Sequence, residues 1–88
     1  MEVVFLRQFS KDIEKIPPSI RKKVAVIIIE IEQADSLEVI PNCKKLKGHP
    51  YAWRIRTGDY RIGFYYPPGQ PVEMARVVHR KDIYRVFP

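Results

Sequence analysis

Residues 51–66 read YAWRIRTGDYRIGFYY, with arginines at positions 54, 56 and 61 on either side of a Thr-Gly-Asp break. Side chains alternate along a strand. If the two halves form a hairpin around Gly58-Asp59, then Tyr51, Trp53 and Ile55 share a face with Tyr60, Ile62, Phe64 and Tyr66. Arg54, Arg56 and Arg61 fall together on the other face. Singly, each arginine reads as the wet side of a half-exposed sheet. As a trio they repel one another, and only Asp59 lies near in sequence. Phosphate relieves that repulsion, because the guanidinium fork matches phosphate oxygens in pairs.

Further cations and rings flank the hairpin. Lys44, Lys45 and Lys47 precede it, and Arg76, Arg80, Lys81 and Arg85 follow. Tyr65 and Tyr84 offer rings on which an unpaired base can stack. His79, beside Arg80, is the one side chain here whose ordinary pKa suits proton transfer near neutrality. Two readings of it stand open, a general base or a hydrogen-bonded histidine at a strand end. His49, beside Pro50, reads as structural. Basic groups with aromatics fit single-stranded RNA better than duplex DNA, since no helix is built for a major groove.

The bulk sequence agrees. The 88 residues carry a net charge of +6, which implies an acidic partner. Residues 1–43 hold six lysines and arginines against seven acids, whereas residues 44–88 hold ten against three. The entire excess is therefore in the second half. Cys43 is the only cysteine, so neither an internal disulfide nor a cysteine-based metal cluster is expected. Two scattered histidines make a zinc site improbable, and no cofactor is implied. No apolar run reaches the length of a membrane span, and the start of the chain lacks the features of a secretory signal. The chain reads as cytoplasmic.

These residues need a scaffold, and the sequence predicts a single domain over residues 1–88. Residues 3–6 read as a strand. Ser10 is placed to cap a short helix over 10–16, which Pro17-Pro18 ends. Pro18 can open the next helix. There Ile20, Val24, Ile27, Ile28, Ile31 and Ala34 recur at helical spacing. Residues 35–50 read as irregular, with Leu46 reaching the core. Strands are expected at 51–57, 60–66 and 72–78, and a short turn or edge strand at the C-terminal end. The expected class is α+β: an N-terminal strand, a two-helix hairpin, then a three-to-four-stranded, mostly antiparallel sheet with the helices on one face.

The ordered set LKGHPYAWRIRTGDYRIGFYY and, beyond the turn, VVHRKDIYRVF resembles the RelE/ParE superfamily of toxins from type II toxin–antitoxin pairs. The helical hairpin and chain length agree, so the resemblance covers nearly the whole sequence. It implies a RelE-like fold and a cognate antitoxin as partner in a heteromer. The basic strand and the C-terminal Arg and Tyr look more like the RelE branch, whose members cut mRNA in the ribosomal A site. They do so without metal, by attack of the ribose 2′-hydroxyl on the adjacent phosphate.

Carried over by position, the resemblance makes Arg54, Arg56, Arg61, Arg80 and Tyr84 site residues. Some relatives have lysine where this chain has Arg56, and that lysine is a plausible base. Arginine is a poor one, which leaves His79 as the substitute. Lys44, Lys45, Lys47, Tyr65, Arg76, Lys81 and Arg85 are then expected to hold RNA. Two other functions stay open at this point: a ParE-like inhibitor of DNA gyrase, and a non-enzymatic module that binds RNA or the ribosome.

Overall fold

The computed structural model describes residues 1–88. Strand β1 (Val3–Phe5) runs into helix α1 (Arg7–Ile13) and then α2 (Pro18–Gln33). A 3₁₀ turn (Leu37–Val39) leads to β2 (Cys43–Lys45), β3 (Ala52–Thr57), β4 (Tyr60–Tyr65), β5 (Val72–His79) and the short α3 (Ile83–Val86). The strands form one five-stranded sheet in the order β1-β5-β4-β3-β2. Only the β1–β5 pair is parallel. The α+β class and the α1–α2 hairpin are as expected, with one or two more strands in the sheet.

The main core lies between the sheet and α1–α2. Phe9, Ile16, Val24 and Ile31 pack there on Ile55, Ile62, Phe64, Val72, Met74 and Val77. Pro18 occupies the first turn of α2, and Pro17 is extended before it. There its lack of an N–H costs nothing, because first-turn amides have no partner inside a helix.

Four expectations are corrected. Helix α1 begins at Arg7, and Ser10 lies inside it rather than capping it. The Leu6 N–H bonds to Met74 O at 2.9 Å, so the chain turns into the helix as soon as β1 ends. Residues 35–50 are not wholly irregular: they include the 3₁₀ turn and β2, which pairs antiparallel with β3. Leu37 and Ile40, not Leu46, plug the main core from this segment. The C-terminal segment is a helix rather than a turn or edge strand, and it packs on the opposite face from α1 and α2. There Ile83 and Phe87 bury against Ala52 and Ala75, with Leu46, Tyr65 and Val78 around them.

A buried ion pair joins α1 to the sheet. Asp12, 4% exposed, accepts from Arg76 Nε at 2.8 Å and Arg76 Nη2 at 3.2 Å. It also accepts the Val77 N–H at 3.1 Å and Gln8 Nε2 at 3.2 Å. Strand β1 pairs with β5 only from Val72 to Met74, so the Val77 amide has no strand partner on that side. The carboxylate takes the place of one.

Removing one member of a buried pair leaves the other's charge uncompensated. Asp12→Ala is therefore expected to destabilise the fold by about 3 kcal/mol, read as a lower urea midpoint at unchanged slope.

Candidate nucleic-acid interface

The hairpin register sets the arginine face. Arg56 lies directly opposite Arg61, Arg54 opposite Gly63, and Lys44 of β2 opposite Arg54. Residues paired across strands point to the same side. Arg54, Arg56, Arg61 and Lys44 therefore share one face, and Tyr84 of α3 joins them. Together with Asn42 and Cys43 they line an open concavity of about 380 Å³.

Each cation is held differently. The Arg61 Nη1 donates to Gly58 O and Tyr60 O, both at 2.9 Å. That folds the side chain over the turn and leaves its Nε and Nη2 edge for a bidentate anion. The Arg56 Nη2 donates to Asn42 Oδ1 at 3.4 Å, and the Arg56 N–H to Asn42 O at 3.2 Å. Arg54 lies under the Tyr84 ring, 4.9 Å from its centroid, a favourable cation–π contact. Tyr84 is 74% exposed, so its other surface is free to take a base.

Arg80 stands at the rim. Its N–H bonds to Asp59 O at 2.7 Å, and its Nε lies 3.7 Å from Asp59 Oδ1. Both side chains are well exposed, so this pairing is weak and leaves Arg80 available. Burial pushes the Arg61 pKa down, and the charges of Arg56, Arg80 and Arg54 push it further. All three deprive Arg61 of a favourable environment for its own charge, and an arriving phosphate would restore it.

The glycine of the RIGF stretch makes room for α3. A Cβ on Gly63 would lie 2.4 Å from Phe87 Cδ2 and 2.5 Å from Phe87 Cγ. No side chain larger than hydrogen fits beneath that ring. Phe87 sits flat on the strand as a result, and Tyr84, one turn earlier, reaches Arg54.

Several expected residues lie elsewhere. Arg76 is not free to hold RNA, because Asp12 binds it in bidentate fashion. The Tyr65 ring is tilted against Phe87 with centroids 5.0 Å apart and forms part of the α3 contact; it is no open stacking platform. Lys45 pairs opposite Trp53 and so points away from Lys44. Lys47, Lys81 and Arg85 are exposed outside the concavity, and Arg85 bonds to Asp82.

His79 pairs opposite Tyr60 on the side of the main core, near Asp12 and Lys15 of α1. It is thus separated from the arginines by the sheet, and its expected place as their proton acceptor is withdrawn. No three His, Cys, Asp or Glu side chains gather as metal ligands.

Asn42, Cys43 and Gly63 were not anticipated. Asn42 adopts φ 60°, a left-handed conformation that asparagine tolerates, and the Pro41-Asn42 pair was its one visible signal. Burial, followed by the charge of Glu38, pushes the Cys43 thiol up to about 11.

An open sheet face of arginines capped by a tyrosine helix, on a strand–helix-hairpin–sheet scaffold, defines a small α+β domain with a basic sheet face. Residues 3–84 match the family described as the ParE toxin of type II toxin–antitoxin systems, parDE. Over 89 residues, covering both chains completely, the sequence is 42% identical to Toxin RelE3 of Methanocaldococcus jannaschii. The fold superposes on a chain of the RelB–RelE antitoxin–toxin complex from Methanococcus jannaschii with TM-score 0.82 and 40% identity. The match covers 97% of this chain and 99% of that one. A chain of the Escherichia coli RelBE complex shares the fold at TM-score 0.72 and 20% identity, over 89% and 94% of the two chains. The chain belongs to the RelE/ParE family of type II toxins. No helix is long and apolar enough to cross a membrane.

Two outcomes test the site's geometry. Gly63→Ala should lower stability by about 1–3 kcal/mol through overpacking and release Tyr84 from Arg54, seen as a shift of the Arg54 Nε–Hε resonance. Cys43 stays a neutral thiol until pH nears 11, so iodoacetamide at pH 8 should modify it far more slowly in the native protein than in urea. Burial favours the protonated thiol, so its contribution to stability is present below the unfolded thiol's pKa and declines as pH rises towards 11.

Proposed function

We propose that this protein is a ribosome-dependent mRNA endonuclease that arrests translation. The observation that carries this reading is the convergence of Arg54, Arg56, Arg61 and Tyr84 on one solvent-facing concavity, with Arg80 beside Arg61. The 2′-hydroxyl oxygen bonds to the adjacent phosphorus while the bond from phosphorus to O5′ breaks. The products are a 2′,3′-cyclic phosphate and a 5′-hydroxyl; the proton lost at O2′ is balanced by one gained at O5′. The crowded phosphorane carries two negative charges. Arg61, Arg54 and Arg80 stabilise it, and Tyr84 stacks on the base to hold the backbone in line.

The concavity contains neither imidazole nor carboxylate. The share of catalysis assigned to it is therefore electrostatic, with preformed cations surrounding the developing charge.

The partner in this reading is a cognate antitoxin, as RelB is in the solved RelB–RelE complexes. Two features of the surface support it. Phe5, Phe9, Ile13, Val24 and Ile28 line an apolar groove between α1 and α2, a fit for an amphipathic segment. The net charge of +6 favours an acidic one.

Induction followed by mapping of mRNA 5′ ends against ribosome position is expected to show cuts in the A site. Arg61→Ala should lower kcat on ribosome-bound mRNA about 100-fold, the typical effect of losing one transition-state donor. Gyrase-dependent DNA breaks without mRNA cuts would instead identify a ParE-like action.

A further inference from the structure

The turn that follows β5 carries Arg80, and it leads directly into the helix that carries Tyr84. Its conformation therefore decides whether both residues reach the arginine face. His79 dominates that turn. Its Nδ1 accepts the Lys81 N–H at 3.2 Å, and its carbonyl accepts the Asp82 N–H at 2.8 Å. Its ring stands edge-on to Tyr60, centroids 5.5 Å apart and planes at 75°. Between these contacts the Arg80 N–H reaches across to Asp59 O, at the tip of the β3–β4 hairpin.

We propose that His79 is a positioning residue, an acceptor fixed on the helix side of the sheet that sets the turn delivering Arg80 and Tyr84 to the opposite side. This rests on the ribonuclease reading above. The chemistry of the ring supports it. An imidazole whose Nδ1 accepts a backbone amide carries its proton on Nε2 in the neutral form. The nitrogen lone pair is then spent inside the turn and is not available to a 2′-hydroxyl. Tyr60 anchors the ring from the main core, so the bond has a rigid base on one side. On the other side are the three residues that lead into α3. Helix α3 is only four residues long, too short to hold itself by internal bonds. Its place is set by Ile83 and Phe87 below and by this turn before it.

The proposal separates two isosteres that are otherwise similar. Asparagine places its amide oxygen where Nδ1 stands, so His79→Asn keeps the acceptor. Glutamine reaches to the place of Nε2 and does not. On ribosome-bound mRNA, His79→Asn should retain kcat within about 3-fold. His79→Gln and His79→Ala should lose about 10- to 100-fold in kcat with little change in KM, as expected when reacting groups are misplaced rather than removed.

Amide hydrogen exchange at Lys81 provides a second arm that needs no activity. The amide should be protected in the wild type and His79→Asn and exposed in the other two. Thermal melts establish that all four proteins are compared in the folded state. If Asn is as inactive as Ala while the wild type cuts, His79 is a proton-transfer group and the proposal is overturned. Equal exchange at Lys81 in all four proteins overturns it as well. A wild type that cuts no mRNA would refute the ribonuclease reading instead, and the exchange arm would still decide the role of His79.

Discussion

Like charges directly opposite one another across a hairpin destabilise it, and this protein pairs Arg56 with Arg61 and sets Lys44 against Arg54. Everything else in the fold accommodates that conflict. On the reverse side of the same strands, Ile55, Ile62 and Phe64 are almost completely buried, and Trp53 stacks parallel to Phe64. The apolar side of the hairpin holds the register that the charged side opposes. The repulsion is stored in a preorganised form, with the cations already assembled on one face.

The sheet separates two tasks. Helices α1 and α2 seal the main core on one side, and the Asp12–Arg76 pair ties α1 to β5 where β1 has ended. On the other side the short α3 covers only part of the sheet, leaving the arginines of β3 and β4 in water. The small contact around Phe87 and Gly63 is the boundary between the covered and open parts. Tyr84 lies at that boundary, with one side of its ring on Arg54 and the rest open to solvent.

Much of this was legible from alternation alone. The two faces of the hairpin follow from YAWRIR and YRIGFYY, because an apolar set and a basic set cannot exchange sides in a sheet with one buried face. Strand β2 was not legible. CKK shows no apolar alternation, since β2 is a three-residue edge strand that buries little. The side His79 takes was not legible, for a specific reason. Val72 and Met74 face the core, but the next core residue is Val77, three positions on. That break in alternation marks the bulge at Ala75, where the register shifts opposite Gly63 and Phe64. Counting on from Val77, His79 returns to the core side. The role of Gly63 was hidden as well, because the ring above it comes from residue 87, which no local pattern joins to it.

Strand β5 lies between β1 and β4 although it is the last strand in sequence. A ribosome making this chain releases β1, both helices and the charged hairpin before the strand that joins them. Until residues 72–79 emerge, β1 has no neighbour in the sheet and the hairpin has only β2 beside it. Pairings this distant in sequence form late. The order of synthesis thus delays completion of the site, and a partially made chain does not yet hold Arg80 and Tyr84 beside the arginines of β3 and β4.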